Sequence, residues 1–225
     1  MIYILSSHSI NFLCILAFNK AHEIMLQVRN LSKSFSNTTI LKNVHFDLEL
    51  GKICVIIGNN GSGKTTFLKC LSNLMNYDSG SINFNCPNGH LFLSDKLNIF
   101  GDLTIEENLK VVATYHNQNY DELSFNDSID KLNIKQFKDM PLKFLSRGNL
   151  QRNKLCIAMN LNWDYLLIDE PFSNLDKEGM KIFNNVFEDF KSKNKSIIYS
   201  SHQNTTQSMF DSSISVENFK DKNDS

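Results

Sequence analysis

The chain has 225 residues, 41% of them hydrophobic, and a formal net charge of −1. That length suits one domain with a sizeable core and leaves no room for a second full one, while the near-neutral charge without a long basic run excludes the electrostatic footprint of a nucleic-acid binder. Cys14, Cys54, Cys70, Cys86 and Cys156 are odd in number, scattered and without a C-x-x-C pair, which argues against a disulfide framework or zinc site and implies a reducing, cytoplasmic compartment.

Ile10 to Phe18 (INFLCILAF) is the one strongly apolar run near the start. It is much shorter than the ~20 residues that cross a bilayer, and it lacks a basic leader and a small-residue cleavage site. Residues 1–24 therefore read as an upstream extension, because Met25 stands immediately before the first strand; a peripheral membrane anchor is the alternative. From Met25, Met25-Leu26-Gln27-Val28 reads as a strand, and Leu31 to Phe35 leads into a turn at Ser36-Asn37. Val44 to Leu50 alternates apolar and polar residues, the pattern of a half-buried strand, and Gly51 breaks it.

Lys52 to Ile57 carries its apolar residues in one continuous run after the lysine, as in a strand covered on both faces, and it delivers a glycine-rich turn ending in Gly-Lys-Thr. The turn fits G-x-x-x-x-G-K-[ST] at every fixed position, with Gly58, Gly63, Lys64 and Thr65 in place. A loop that wraps a polyphosphate must aim successive backbone N–H groups inward, and side chains at those glycines would obstruct it. Gly58, Asn59, Asn60, Gly61, Ser62, Gly63, Lys64, Thr65 and Thr66 are thus the candidate ATP-binding stretch. Lys64 offers its ammonium to the β- and γ-phosphates, Thr65 its hydroxyl to Mg²⁺, and the helix opening at about Gly63 its positive dipole end.

That helix is expected over Thr65 to Leu74, followed by a turn at Asp78-Ser79-Gly80, a strand over Ser81 to Phe84 and a turn at Pro87-Asn88-Gly89. From about Leu103 to Ser146 the chain is helical and more polar, without a convincing strand, and Thr104 with Glu107 forms a capping box. This stretch reads as a small helical subdomain inserted into an α/β core. The α/β rhythm then returns, with Tyr165 to Ile168 a buried strand, Asp176 to about Lys191 a helix, Ser196 to Ser200 a strand and a polar tail at the end. Asp169 and Glu170 follow a buried strand; in a parallel sheet that end lies beside the phosphate loop, which makes Asp169 the candidate to hold Mg²⁺ and Glu170 the candidate to meet an attacking water, the alternative being a mere helix-start turn.

Between loop and acids comes Leu145-Ser146-Arg147-Gly148-Asn149, then Leu150-Gln151-Arg152. Here the sequence resembles the ATP-binding subunits of ABC transporters, whose signature is Leu-Ser-Gly-Gly-Gln, and the likeness runs from about Met25 to about Val216. It implies an α/β P-loop NTPase of the ABC ATPase type, with a mainly parallel central sheet and an antiparallel β part. The nucleotide-binding domain then spans 25–217, with the helical insertion at about 103–146 and a polar tail at 218–225. Phe35 matches the aromatic that stacks on adenine, Asp169 and Glu170 the Walker B pair, Ser173-Asn174-Leu175-Asp176 the D-loop, and His202 the switch histidine.

The same resemblance implies that Ser146 and Gly148 cover the γ-phosphate held by another subunit's loop. The partner is then a second nucleotide-binding domain, by expectation a second copy, together with integral membrane permease subunits. The chain is expected at the cytoplasmic face of the membrane, peripherally, moving the permease through ATP hydrolysis. Two departures stand out: Arg147 and Asn149 replace Gly and Gln in the signature, and no glutamine occurs near Ser94-Asp95-Lys96, where Asp95 is the substitute metal or water contact. The compact length and Asp-Glu-Pro-Phe at Asp169 to Phe172 resemble the haem-exporter ATPase of the cytochrome c maturation system. A drug, lipid or peptide exporter, a soluble clamp ATPase and a non-hydrolysing cassette are the alternatives. His45 reads as a surface strand residue, His8 and His116 join no constellation, and Trp163 reads as packing.

Overall fold

The computed structural model describes residues 24–94, 100–202 and 210–216. The upstream extension up to residue 23, Asp95 and the polar tail lie outside the described residues, and Ile24, expected as its last residue, opens the first strand. Two sheets organise the rest. The smaller is antiparallel, in the order β2 (Thr38–Glu49), β1 (Ile24–Phe35), β4 (Ser79–Phe84). In β2, Val44, Phe46 and Leu48 are buried while His45 and Asp47 are exposed, so period-two alternation does set the face that packs.

The strand expected at Met25–Val28 runs on through the stretch at Leu31–Phe35 as one strand, bent at Asn30, which takes φ 50° where the pairing register shifts between Val28 and Leu31. Opposite that bend lies Gly80 with φ +101°, where an added Cβ would sit 2.5 Å from Asn30 O and 2.6 Å from Arg29 O. The expected turn at 78–80 is thus absorbed into β4, with Ser79 paired to Ser32. Gly80→Ala combines left-handed backbone with a clash against main chain, and is expected to destabilise the fold by about 2–4 kcal/mol, measured by urea unfolding.

The larger sheet is parallel throughout, in the order β5 (His90–Leu93), β6 (Tyr165–Ile168), β7 (Ser196–Ser201), β3 (Ile53–Ile57), β8 (Ser212–Ser215). Alternate residues of its central strands enter two cores. Ile53, Val55, Leu166, Ile168, Ile197 and Tyr199 pack with the helices, whereas Cys54, Ile56, Tyr165, Leu167 and Ile198 pack against the antiparallel sheet and α1 (Lys64–Leu71). Burial on both faces explains the unbroken apolar runs. β5 and β8 went unread because His90–Leu93 is only four residues long and Ser212–Ser215 is mostly polar, so tertiary pairing forms them.

Helix α1 ends at Leu71 rather than Leu74, because Asn73 takes φ 57° and closes it, leaving Leu74 half-exposed. The region after Leu103 is helical as expected: α2 (Ile105–Tyr115), α3 (Glu122–Lys131), two short 3₁₀ turns, then α4 (Arg147–Asn160). The capping box is present, with Thr104 Oγ1 accepting from Glu107 N at 3.3 Å and Glu107 Oε2 accepting from Thr104 N at 2.8 Å. α5 (Lys177–Ser192) covers the sheet. Trp163 is a packing residue, donating from Nε1 to Ala158 O at 2.8 Å and meeting Phe190 edge-on. Burial pushes the Cys156 thiol up to about 12, consistent with an inert core side chain. Among the described residues no helix is long and apolar enough to cross a membrane.

Candidate functional site

Three strand ends make the site. β7 lies between β3 and β6, with Ile57 paired to Ser201 and Ile168 to Tyr199, so the glycine loop, Asp169-Glu170 and His202 leave the sheet at one edge. Within the loop, Gly61 and Gly63 take φ +75° and +112°, and a Cβ on Gly63 would meet Ile40 Cγ2 at 2.7 Å. Gly58 is constrained from inside the loop, since its Cβ would lie 2.6 Å from Ser62 Oγ. Asn59, Asn60 and Gly61 are exposed at the rim, while Thr66 is half-buried in the first turn of α1. That turn carries no acidic residue and no side-chain cap, which leaves its positive end available to an anion.

Lys64 is buried, and its Nζ donates to Gly58 O at 2.8 Å and Asn59 O at 3.0 Å. The same nitrogen lies 3.2 Å from His202 Nδ1. Desolvation pulls the Lys64 pKa down, and the negative charges of Glu170 and Asp169 oppose that pull. Across the ring, His202 Nε2 contacts Glu170 Oε1. An imidazole carrying its proton on Nε2 satisfies both contacts, accepting from the lysine and donating to the carboxylate.

Asp169 is held through both oxygens: Thr65 Oγ1 donates to Oδ2 at 2.8 Å and Ser200 Oγ donates to Oδ1. Glu170 takes φ +47°, an uncommon conformation for a non-glycine residue. Its N–H donates to Ser200 Oγ at 2.9 Å and its carbonyl accepts from Ser173 Oγ at 2.9 Å. Gln151 Nε2 donates to Ser173 Oγ at 3.0 Å, which ties α4 to the segment after the acids.

Ser146 caps α4, its Oγ accepting from Asn149 N at 3.2 Å, and Ser146 and Arg147 are exposed. Gly148 is close-packed, since a Cβ there would lie 3.1 Å from Asn174 O. Phe35 is exposed at the end of β1 with Lys33 Nζ 5.3 Å from its ring centroid. The structure therefore brings Lys64, Thr65, Asp169, Glu170 and His202 together. Among the described residues no hydrogen bond, ion pair or ring contact joins Phe35, Ser146 or Gly148 to that cluster, and Asp95 lies outside them.

The cradle fits a polyphosphate with a hard cation. Ser62 Oγ is buried inside the loop without a hydrogen-bond partner among the described residues, and the Thr65 hydroxyl and Asp169 carboxylate are adjacent oxygen donors of the kind Mg²⁺ takes. Among the described residues no group of three or more His, Cys, Asp or Glu forms a protein-only metal cage. Ser200 and Gln151 are the residues that sequence reasoning gave no role. For Ser200 the available signal was a hydroxyl two residues before His202 in a buried strand, since buried hydroxyls are placed to bond something.

A parallel sheet that ends in a glycine cradle, a buried lysine and an acid pair defines an α/β P-loop nucleotide-binding fold. The sequence profile described as ABC transporter matches residues 41–173, more than half of the chain, so the chain belongs to the ABC transporter family as an ATP-binding subunit. The lantibiotic transport ATP-binding protein SrtF of Streptococcus pyogenes is 32% identical over 185 residues, covering 79% of this chain and 80% of that protein. The cytochrome c biogenesis ATP-binding export protein CcmA of Vibrio vulnificus is 27% identical over 192 residues, covering 80% of this chain and 92% of that protein. A solved dimeric bacterial ABC transporter cassette, MJ0796, superposes with a TM-score of 0.74 at 19% identity, over 85% of this chain and 95% of that one, a likeness of fold. ABC ATPase domains as a class bind and hydrolyse ATP.

Proposed function

We propose that this chain is the ATP-hydrolysing subunit of an ABC membrane exporter, acting as a head-to-tail homodimer on permease subunits at the cytoplasmic face of the membrane. The observation that carries the reading is the hydrogen-bonded cluster of Lys64, Thr65, Asp169, Glu170 and His202 across three neighbouring strand ends. Gly58 to Thr66 hold the phosphates, with the Lys64 ammonium drawn from its carbonyl partners to the β- and γ-oxygens. Thr65 and Asp169 would hold Mg²⁺, which when bound supplies positive charge to the phosphate oxygens. Glu170 orients and polarises the attacking water, and His202 bridges Glu170 and the γ-phosphate.

Phe35 is proposed to stack on the adenine, and Ser146 and Gly148 to cover the nucleotide of the facing copy, which accounts for a helix cap left open to solvent. The domain division proposed is 25–217, with the helical insertion at about 103–146. For the cargo, we propose haem export in cytochrome c maturation, supported by the likeness to CcmA and by Asp169-Glu170-Pro171-Phe172. A peptide exporter is the second reading, favoured by the higher identity to a lantibiotic transport protein.

Purification from native membranes with the associated permease tests both levels. Expected are Mg·ATP hydrolysis and a haem-handling membrane partner. An unrelated permease removes the haem reading, and a protein that stays wholly soluble in its own cells removes the exporter.

A further inference from the structure

The pair of acids is held by one hydroxyl that the proposed mechanism does not use. Ser200 is 1% exposed one residue before the end of β7, the strand that separates the loop-bearing β3 from the acid-bearing β6. Its neighbour in β3 is Ile56, two residues before Gly58, and on the other side the β6 pairing runs out at Ile168, one residue before Asp169. A serine hydroxyl has one proton to give and lone pairs to receive. Here the proton goes to Asp169 Oδ1 and a lone pair takes the Glu170 N–H at 2.9 Å.

We infer that Ser200 is a positioning residue that sets the angle between the two carboxylates, an inference that rests on the ATPase reading above. Two features make the hold consequential. Among the described residues the other Asp169 oxygen is bonded by Thr65 alone, whose hydroxyl is the group that turns toward a cation; once it turns, Ser200 is the bond that fixes the Asp169 rotamer. Glu170 sits at φ +47°, a conformation that persists only when its surroundings over-determine it. Ser200 pins the N–H of that residue and Ser173 its carbonyl, so the backbone is clamped from both sides and the carboxylate is delivered to His202. An apolar side chain at 200 would leave the N–H unpaired and Asp169 free to rotate.

The test compares Ser200→Ala with Ser200→Thr, which restores the hydroxyl. Ser200→Ala is expected to lower kcat for ATP about tenfold, the loss of one well-placed hydrogen bond, with KM for ATP held within about twofold. The Mg²⁺ concentration for half-maximal rate rises severalfold, and Ser200→Thr recovers most of both. Independently of turnover, hydrogen exchange of the nucleotide-free protein should show lost protection at the Glu170 amide in Ser200→Ala and its return in Ser200→Thr. A general packing defect would instead lower both variants alike and leave the Mg²⁺ dependence unmoved. Unchanged exchange at Glu170 with unchanged kcat in Ser200→Ala overturns the inference, as does equal impairment of the two variants. Wild-type turnover abolished by Glu170→Gln keeps the ATPase reading standing in that case, whereas a wild type without turnover overturns both.

Discussion

Replacing Lys64 with alanine is expected to reduce kcat/KM for Mg·ATP by at least about a hundredfold, equivalent to ~2.7 kcal/mol of transition-state binding. The side chain is 4% exposed and its ammonium is the buried cation of the cradle, facing both acids and His202. A charge in a water-poor site acts on developing phosphate charge at a lower effective dielectric than bulk water provides, so its loss is not made good by solvent. The substitution also removes the ammonium as a donor to Gly58 O and Asn59 O, of which Asn59 O keeps Ser62 N at 3.1 Å, and some stability is lost with it, about 1–2 kcal/mol. The binding effect is separated from that loss by thermal unfolding with and without nucleotide. At a ligand concentration a hundred times Kd the wild-type protein gains about 2.7 kcal/mol, and Lys64→Ala should gain close to nothing. Full nucleotide stabilisation and undiminished turnover in Lys64→Ala would remove the nucleotide reading altogether.

The parts of this site that were legible in the sequence are those in which local chemistry and local spacing coincide. Gly58 to Thr65 is read at once because the loop's function is carried by its own backbone and by a lysine directly behind it. Asp169 and Glu170, which by themselves read equally well as a helix-start turn, were found because the Gly-Lys-Thr loop is in the same chain and a parallel sheet puts the two strand ends side by side. Ser200 was not, since its partners are 31 and 30 residues away in sequence and the register of two parallel strands alone brings them into contact. The same reason hides β5 and β8: a four-residue strand takes its structure from the neighbour it pairs with, and Ser212–Ser215 has no apolar periodicity to announce it. The bend at Asn30 and Gly80's place opposite it are likewise facts of pairing. Propensity placed the glycine in a turn, and the close approach of the β1 backbone placed it in a strand.

Glu170→Gln is expected to leave ATP binding within about threefold of wild type and to lower the hydrolysis rate by about 10²–10⁴, the range that a positioned general base supplies. The substitution is isosteric, and the groups that fix the residue act on its backbone: Ser200 on the N–H and Ser173 on the carbonyl. The amide oxygen can still accept from His202 Nε2, so the left-handed turn and the ring orientation survive while the capacity to take a proton from water is lost. Lys64 loses one of the two carboxylates that oppose its desolvation, yet its ammonium keeps Asp169 and the bound phosphates as partners. If two copies close over nucleotide, with Ser146 and Gly148 of one against the loop of the other, the variant accumulates in that closed form because the step that opens it is blocked. Sedimentation with Mg·ATP should then show a dimer for Glu170→Gln at concentrations where the wild type returns to monomer. A variant that turns over at the wild-type rate would place the base elsewhere. One that loses hydrolysis but stays monomeric would retain Glu170 as base and remove the composite site, because only a nucleotide shared between copies couples the chemistry of one carboxylate to the association of two chains.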